Sequence, residues 1–130
     1  MPRPAGRLVA GSFALDVMLV LAFAAIGRAS HGEDWLVGLG MTAWPFLVGL
    51  VAGWLITRAW RAPAAPVRTG LGVWAATVVG GMLLRSASGQ GTAVAFIVVA
   101  TLTLCLFLVG WRLIAALVAR SRSRRDATAS

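Results

Sequence analysis

Lysine is absent from this 130-residue chain, and the four acidic residues, one histidine and one cysteine are almost as scarce. Only 12% of residues are charged while 59% are hydrophobic, and mean hydropathy is +0.86. A soluble domain of this size needs far more polar surface than that. The lone Cys105 excludes an intrachain disulfide and, deep in an apolar run, says nothing about compartment. One histidine and one distant cysteine do not make a metal ligand set, so no metal is expected. No P-loop, dinucleotide fingerprint or haem ligand pair is present, and no cofactor is expected. Ser30 and His31 adjoin without an ordered third group. An enzyme is therefore not the expectation.

What is present is apolar sequence in long blocks, punctuated by arginine. Twenty residues separate Arg7 from Arg28, with Asp16 the one charge among them. The stretch from Asp34 to Arg58 holds none, and sixteen residues lie between Arg68 and Arg85. After Arg85 no charge appears until Arg112. About 20 residues at 1.5 Å rise cross a bilayer core, so the pattern predicts four transmembrane helices. The short third span must draw Arg85 inward or let its ends snorkel. The fold class is all-α, a polytopic bundle with spans at about 8–27, 36–57, 69–85 and 92–117. Residues 1–7 form a basic N-terminus, 8–119 the transmembrane domain, and 120–130 a disordered basic tail. The N-terminus has a charged start like a signal peptide, but the block is long, carries Asp16 and precedes three more spans, so helix one is expected to stay.

Alternating the flanks places Arg3, Arg7, Arg58, Arg61, Arg68, Arg112, Arg120, Arg122, Arg124 and Arg125 on one side, with Arg28 and Arg85 on the other. That asymmetry predicts both termini in the cytoplasm of a plasma membrane. Trp35 and Trp44 fall toward the outer boundary, Trp60 and Trp111 toward the inner one. The net charge of +8 then points to anionic lipid headgroups and not to nucleic acid. Two hairpins invite comparison, with Arg28 matching Arg85 and Thr42, Ala43, Phe46 and Val48 matching Thr92, Ala93, Phe96 and Val98. They read either as a parallel repeat or as chance likeness of short apolar strings.

Asp16 sits about 13 Å along its helix from Arg7, and Arg112 about 12 Å above Arg120. A carboxylate in hydrocarbon must be paired or protonated. Arg112 is its candidate partner, with Thr57 and Thr77 as alternative hydroxyl neighbours; Arg112 alternatively snorkels to inner headgroups. At the outer end Arg28, His31, Arg85, Gln90 and Thr92 form a candidate anion or proton cluster, because guanidinium forks suit carboxylate and phosphate. The alternative is that both arginines cap helix ends, while His31 is simply solvated and Glu33 and Asp34 neutralise the loop. Pro45 marks a kink in helix two. Gly49 and Gly53, with Gly72, Ala76 and Gly80, mark small-residue packing faces, usable within one chain or between chains.

The strings GRASHG, TAWPF, LLR, GQGT and GWR, with an aspartate in the first helix, resemble the domain of unknown function 3054 family of small prokaryotic integral membrane proteins. They fall on Asp16, on Gly27, Arg28, Ser30, His31 and Gly32, on Thr42 to Phe46, on Arg85, on Gly89 to Thr92 and on Gly110 to Arg112. The resemblance covers roughly Ala14 to Leu113. It implies a polytopic membrane protein, supplies no activity, and favours these polar residues over the helical filler around them. The leading expectation for function is a small homo-oligomeric transporter or channel for protons or a small anion; the alternative is a non-transporting accessory subunit docked on a larger membrane partner.

Overall fold

The computed structural model describes residues 4–28 and 35–129. Every regular element among them is helical. Helix α1 spans Gly6–Arg28 and α2 spans Trp35–Thr57. A short 3-10 turn, Ala59–Arg61, and a π-helical turn, Pro66–Leu71, lead into α3, Gly72–Ala87. Helix α4, Val94–Leu104, continues through a second π-helical turn, Cys105–Val109, into α5, Gly110–Ala129. Four of the resulting helices are long and apolar enough to cross a membrane: Gly6–Gly27, Leu36–Thr57, Pro66–Ala87 and Val94–Thr128.

The third helix is longer than its sixteen uncharged residues suggest. Its opening turn starts at Pro66, where a missing backbone N–H removes nothing the helix needs. The Thr69 hydroxyl then donates to the Ala62 carbonyl at 2.6 Å and draws the preceding link against the helix. At the other end Gly89 adopts φ 78°, which glycine reaches without steric cost. The amides of Gly89 and Gln90 donate to the carbonyls of Ser86 and Arg85, closing the helix with the paired bonds of a Schellman motif. Arg85 is thereby inside the helix instead of bounding it.

Two expectations are corrected in the fourth helix. It begins at Val94, so Thr92 precedes it, whereas Thr42 lies well inside α2. The matched strings of the two hairpins thus start at different places in their helices. Nor does the basic segment form a disordered tail, because α5 continues to Ala129. No glycine or proline follows Gly110, and alanine and arginine are among the strongest helix formers.

Helix α2 is the central element, packed on α1 and, most closely, on α3. A Cβ at Gly49 would stand 2.9 Å from the Thr77 carbonyl oxygen, and one at Gly53 would stand 3.0 Å from the Ala76 Cβ. A Cβ at Gly80 would meet the Gly49 Cα at 3.1 Å, and one at Gly72 would collide with the Thr57 methyl. All five small residues singled out in the sequence therefore serve the α2–α3 seam. Gly81 joins them, since its missing side chain is the space filled by the Phe46 ring. Pro45 is buried within α2, and the helix runs on through it. Above the seam Phe23, Phe46 and Phe96 bring α1, α2 and α4 together, with ring centroids 5.2 to 6.1 Å apart.

Candidate functional site

The structure joins Asp16 of α1 to Arg112 of α5 in a bidentate ion pair. The Arg112 Nη1 donates to Asp16 Oδ1 at 3.0 Å and Nη2 donates to Oδ2 at 2.6 Å, with both side chains 0% exposed. Two tryptophans complete the shell. Trp54 Nε1 of α2 donates to Oδ2 and Trp111 Nε1 of α5 donates to Oδ1, each at 2.8 Å. Each carboxylate oxygen thus accepts two bonds, and neither donates, which is the bonding pattern of an ionised carboxylate. Two of the three remaining guanidinium donors turn to the backbone. Arg112 Nε donates to the Pro63 carbonyl and Nη1 also donates to the Leu108 carbonyl, both at 2.8 Å.

Local structure explains why these groups meet. The link between α2 and α3 folds back under the bundle, burying Ala59, Pro63 and Thr69. Its two hydrogen-bonded turns present the Pro63 carbonyl to the guanidinium. On α3's opening turn, Gly70 leaves room for the arginine stem, since a Cβ there would sit 3.1 Å from the Arg112 Cδ. Helix α5 contributes adjacent Trp111 and Arg112, and the Arg112 Cζ lies 4.6 Å from the Trp111 ring centroid. Phe13 packs edge-on against Trp54 at 5.1 Å and covers the α1 side. Five segments of chain therefore converge on one ion pair.

The hydroxyls weighed as neighbours of Asp16 do not serve it. Thr57 and Thr77 donate to the Gly53 and Val73 carbonyls of their own helices at 2.7 and 2.6 Å. The indoles take that place, although Trp111 reads in sequence as an interface anchor. A buried indole N–H needs an acceptor, and the Asp16 carboxylate is that acceptor for both tryptophans, a role the sequence did not distinguish from that of an interface anchor.

The second cluster lies at the opposite end. Arg85 stands fifteen residues beyond Gly70, about 22 Å along the helix. Its Nε and Nη2 donate to the Gly91 carbonyl at 3.0 and 2.8 Å, and Nη1 donates to the Gln90 Oε1 at 2.9 Å. The guanidinium also lies 4.2 Å from the Phe96 ring centroid. Arg85 and Gln90 are thus brought together, with Arg85 clasping the α3–α4 loop over the phenylalanine cluster. Thr92 is half-buried just before α4. Arg28 closes α1, but its side chain, His31, Glu33 and Asp34 lie outside the described residues. Among those residues no group of three or more potential metal ligands occurs.

Chemically, the two clusters differ. The Asp16–Arg112 network has a carboxylate that already accepts four donors, and the side chains of both ions are fully buried within the single chain. Arg85 binds backbone and amide oxygens as a loop clasp. A family model described as protein of unknown function (DUF3054) matches residues 13–115, a stretch that includes both Asp16 and Arg112. No curated protein and no solved structure matches the chain.

Proposed function

This chain belongs to the DUF3054 family of proteins of unknown function, and we propose that it is a multi-pass plasma-membrane protein without a conduction path of its own, acting as an accessory or structural subunit. Its termini lie in the cytoplasm, because the arginine-rich flanks gather at the end of the bundle that carries both of them. The observation that carries the reading is the closure of the Asp16–Arg112 network. A proton or anion pathway needs a charged group that can exchange partners with water or cargo. Here both ions are fully enclosed, and the carboxylate already accepts four donors.

The region between the two charged clusters supports the same reading. It is filled by Phe23, Phe46, Val20, Leu50 and Leu104, with Phe96 packed against them. Transport by this chain would require an oligomer whose axis carries the polar groups, yet the inner ions already face one another within one chain. The small-residue seam is likewise spent between α2 and α3. A docked membrane partner therefore meets the outer faces, where Val94, Val98, Leu102 and Leu106 form one exposed stripe along the fourth helix.

Flux in proteoliposomes tests the proposal. Purified wild-type protein, folded and oriented, is expected to pass neither protons nor small anions above empty vesicles. Flux that is present in the wild type and lost in both Asp16→Asn and Arg85→Gln would overturn it and establish permeation.

A further inference from the structure

Helix α5 outruns the rest of the bundle. Trp54 and Arg112 bind the same carboxylate and so share a level. From that level α2 runs only three more residues to Thr57, about 5 Å, whereas α5 runs seventeen more to Ala129, about 25 Å. The overhang is exposed throughout its basic portion, and its first turns expose Leu113, Ile114, Leu117 and Val118 at 47 to 64%.

The overhang is not uniform around its axis. Leu113, Leu117, Arg120 and Arg124 follow the i, i+4, i+7, i+11 spacing of one helix face, and Ile114, Val118, Ser121 and Arg125 follow it on the adjoining stripe. Both stripes change from aliphatic to polar and cationic over the same length of helix. Leu117, Arg120, Ser121 and Arg124 line a shallow recess at that change. The face to the other side holds Ala115, Ala119, Arg122, Ser123 and Asp126, which with Val118 at its border line a second recess with an acid in it.

We propose that the face formed by Leu113, Leu117, Arg120, Ser121 and Arg124 is a binding site for an anionic phospholipid, its phosphate held at Arg120 and Arg124 and its acyl chain laid along Leu113 and Leu117. Two arginines one turn apart supply charge and parallel donors for phosphate oxygens. The Ser121 hydroxyl supplies a third donor between them. The aliphatic half of the same stripe selects an amphiphile over an acidic protein or a free anion, because only a lipid covers both halves at once. Leu113 to Arg124 covers eleven residues, about 16 Å, enough for a headgroup and the upper part of a chain. The site rests on the membrane reading above and adds to it a defined face in place of a diffuse basic end.

Lipid titration of the full chain in mild detergent, followed by native mass spectrometry, tests the assignment. Phosphatidylglycerol is expected to bind in preference to phosphatidylcholine of the same acyl composition. Each arginine near an anionic headgroup is worth about fivefold, so Arg120→Gln with Arg124→Gln should weaken phosphatidylglycerol roughly 25-fold. The comparison that matters is Arg122→Gln, which removes the same charge from the other face and should leave binding within about twofold of wild type. Equal loss in Arg122→Gln would overturn the site in favour of unspecific charge attraction. Equal binding of the two lipids, or displacement of phosphatidylglycerol by equimolar inorganic phosphate, would overturn it as well. Retention of the chain in vesicles after an alkaline carbonate wash checks the membrane reading separately. Circular dichroism confirms that each variant is folded.

Discussion

The two oxygens of the Asp16 carboxylate accept four hydrogen bonds, two from Arg112 and one each from Trp54 and Trp111. Replacing the acid by asparagine keeps the volume but turns one acceptor into a donor facing other donors, and it leaves Arg112 buried without its counter-charge. Such a break is expected to destabilise the bundle by about 3–5 kcal/mol, measurable by denaturant unfolding in detergent. Trp111→Phe removes one of four donors and leaves the ion pair, so a smaller loss of about 1.5–3 kcal/mol is expected. A double variant, Asp16→Leu with Arg112→Met, should be less destabilised than the sum of its single changes, because neither charge is then left alone. The two ions were legible in the sequence because each is a charge inside an apolar run. The rest of the shell was not. An indole in a membrane helix reads equally as a boundary anchor, and the carbonyls of Pro63 and Leu108 are backbone acceptors that no residue type announces.

The helices themselves were legible as apolar blocks, but their ends were set by local chemistry that hydropathy does not weigh. The third helix gained a turn at each end from Pro66 and from the Gly89 cap, and the fourth gained its overhang from alanine and arginine propensity. The small residues were legible as a packing face but not as the α2–α3 seam, since the same spacing serves contacts within or between chains. Two glycines separate these roles. Gly49→Val pushes a branched side chain against the Thr77 carbonyl and is expected to destabilise by about 1–3 kcal/mol. Gly11→Ala meets nothing within 4 Å and should be neutral or stabilising by up to about 1 kcal/mol. Thermal unfolding of both in one detergent reads the contrast. Arg58 offers a third case, holding φ 51° at the end of α2, where glycine is expected to relieve about 1 kcal/mol of strain.

Taken whole, the molecule is a bundle with different ends. One end holds the enclosed ion pair, the folded-back link and the basic overhang of α5; the other holds the Arg85 clasp above three phenylalanines. The spacing of apolar blocks and arginines along the chain announced four membrane-spanning helices and the charge asymmetry between their ends. It did not announce that Asp16 and Arg112 are buried together, because that burial depends on residues from five segments up to 96 positions apart. With both ions fully buried, water is expected to stay out of this network. Hydrogen exchange of the tryptophan indole protons, followed by NMR of the protein in bilayers, tests it most directly. The indole protons of Trp54 and Trp111 are expected to exchange far more slowly than that of Trp60, which is 41% exposed. Exchange of all three at the rate of Trp60 would contradict the account and reopen the ion pair as part of a water-filled path.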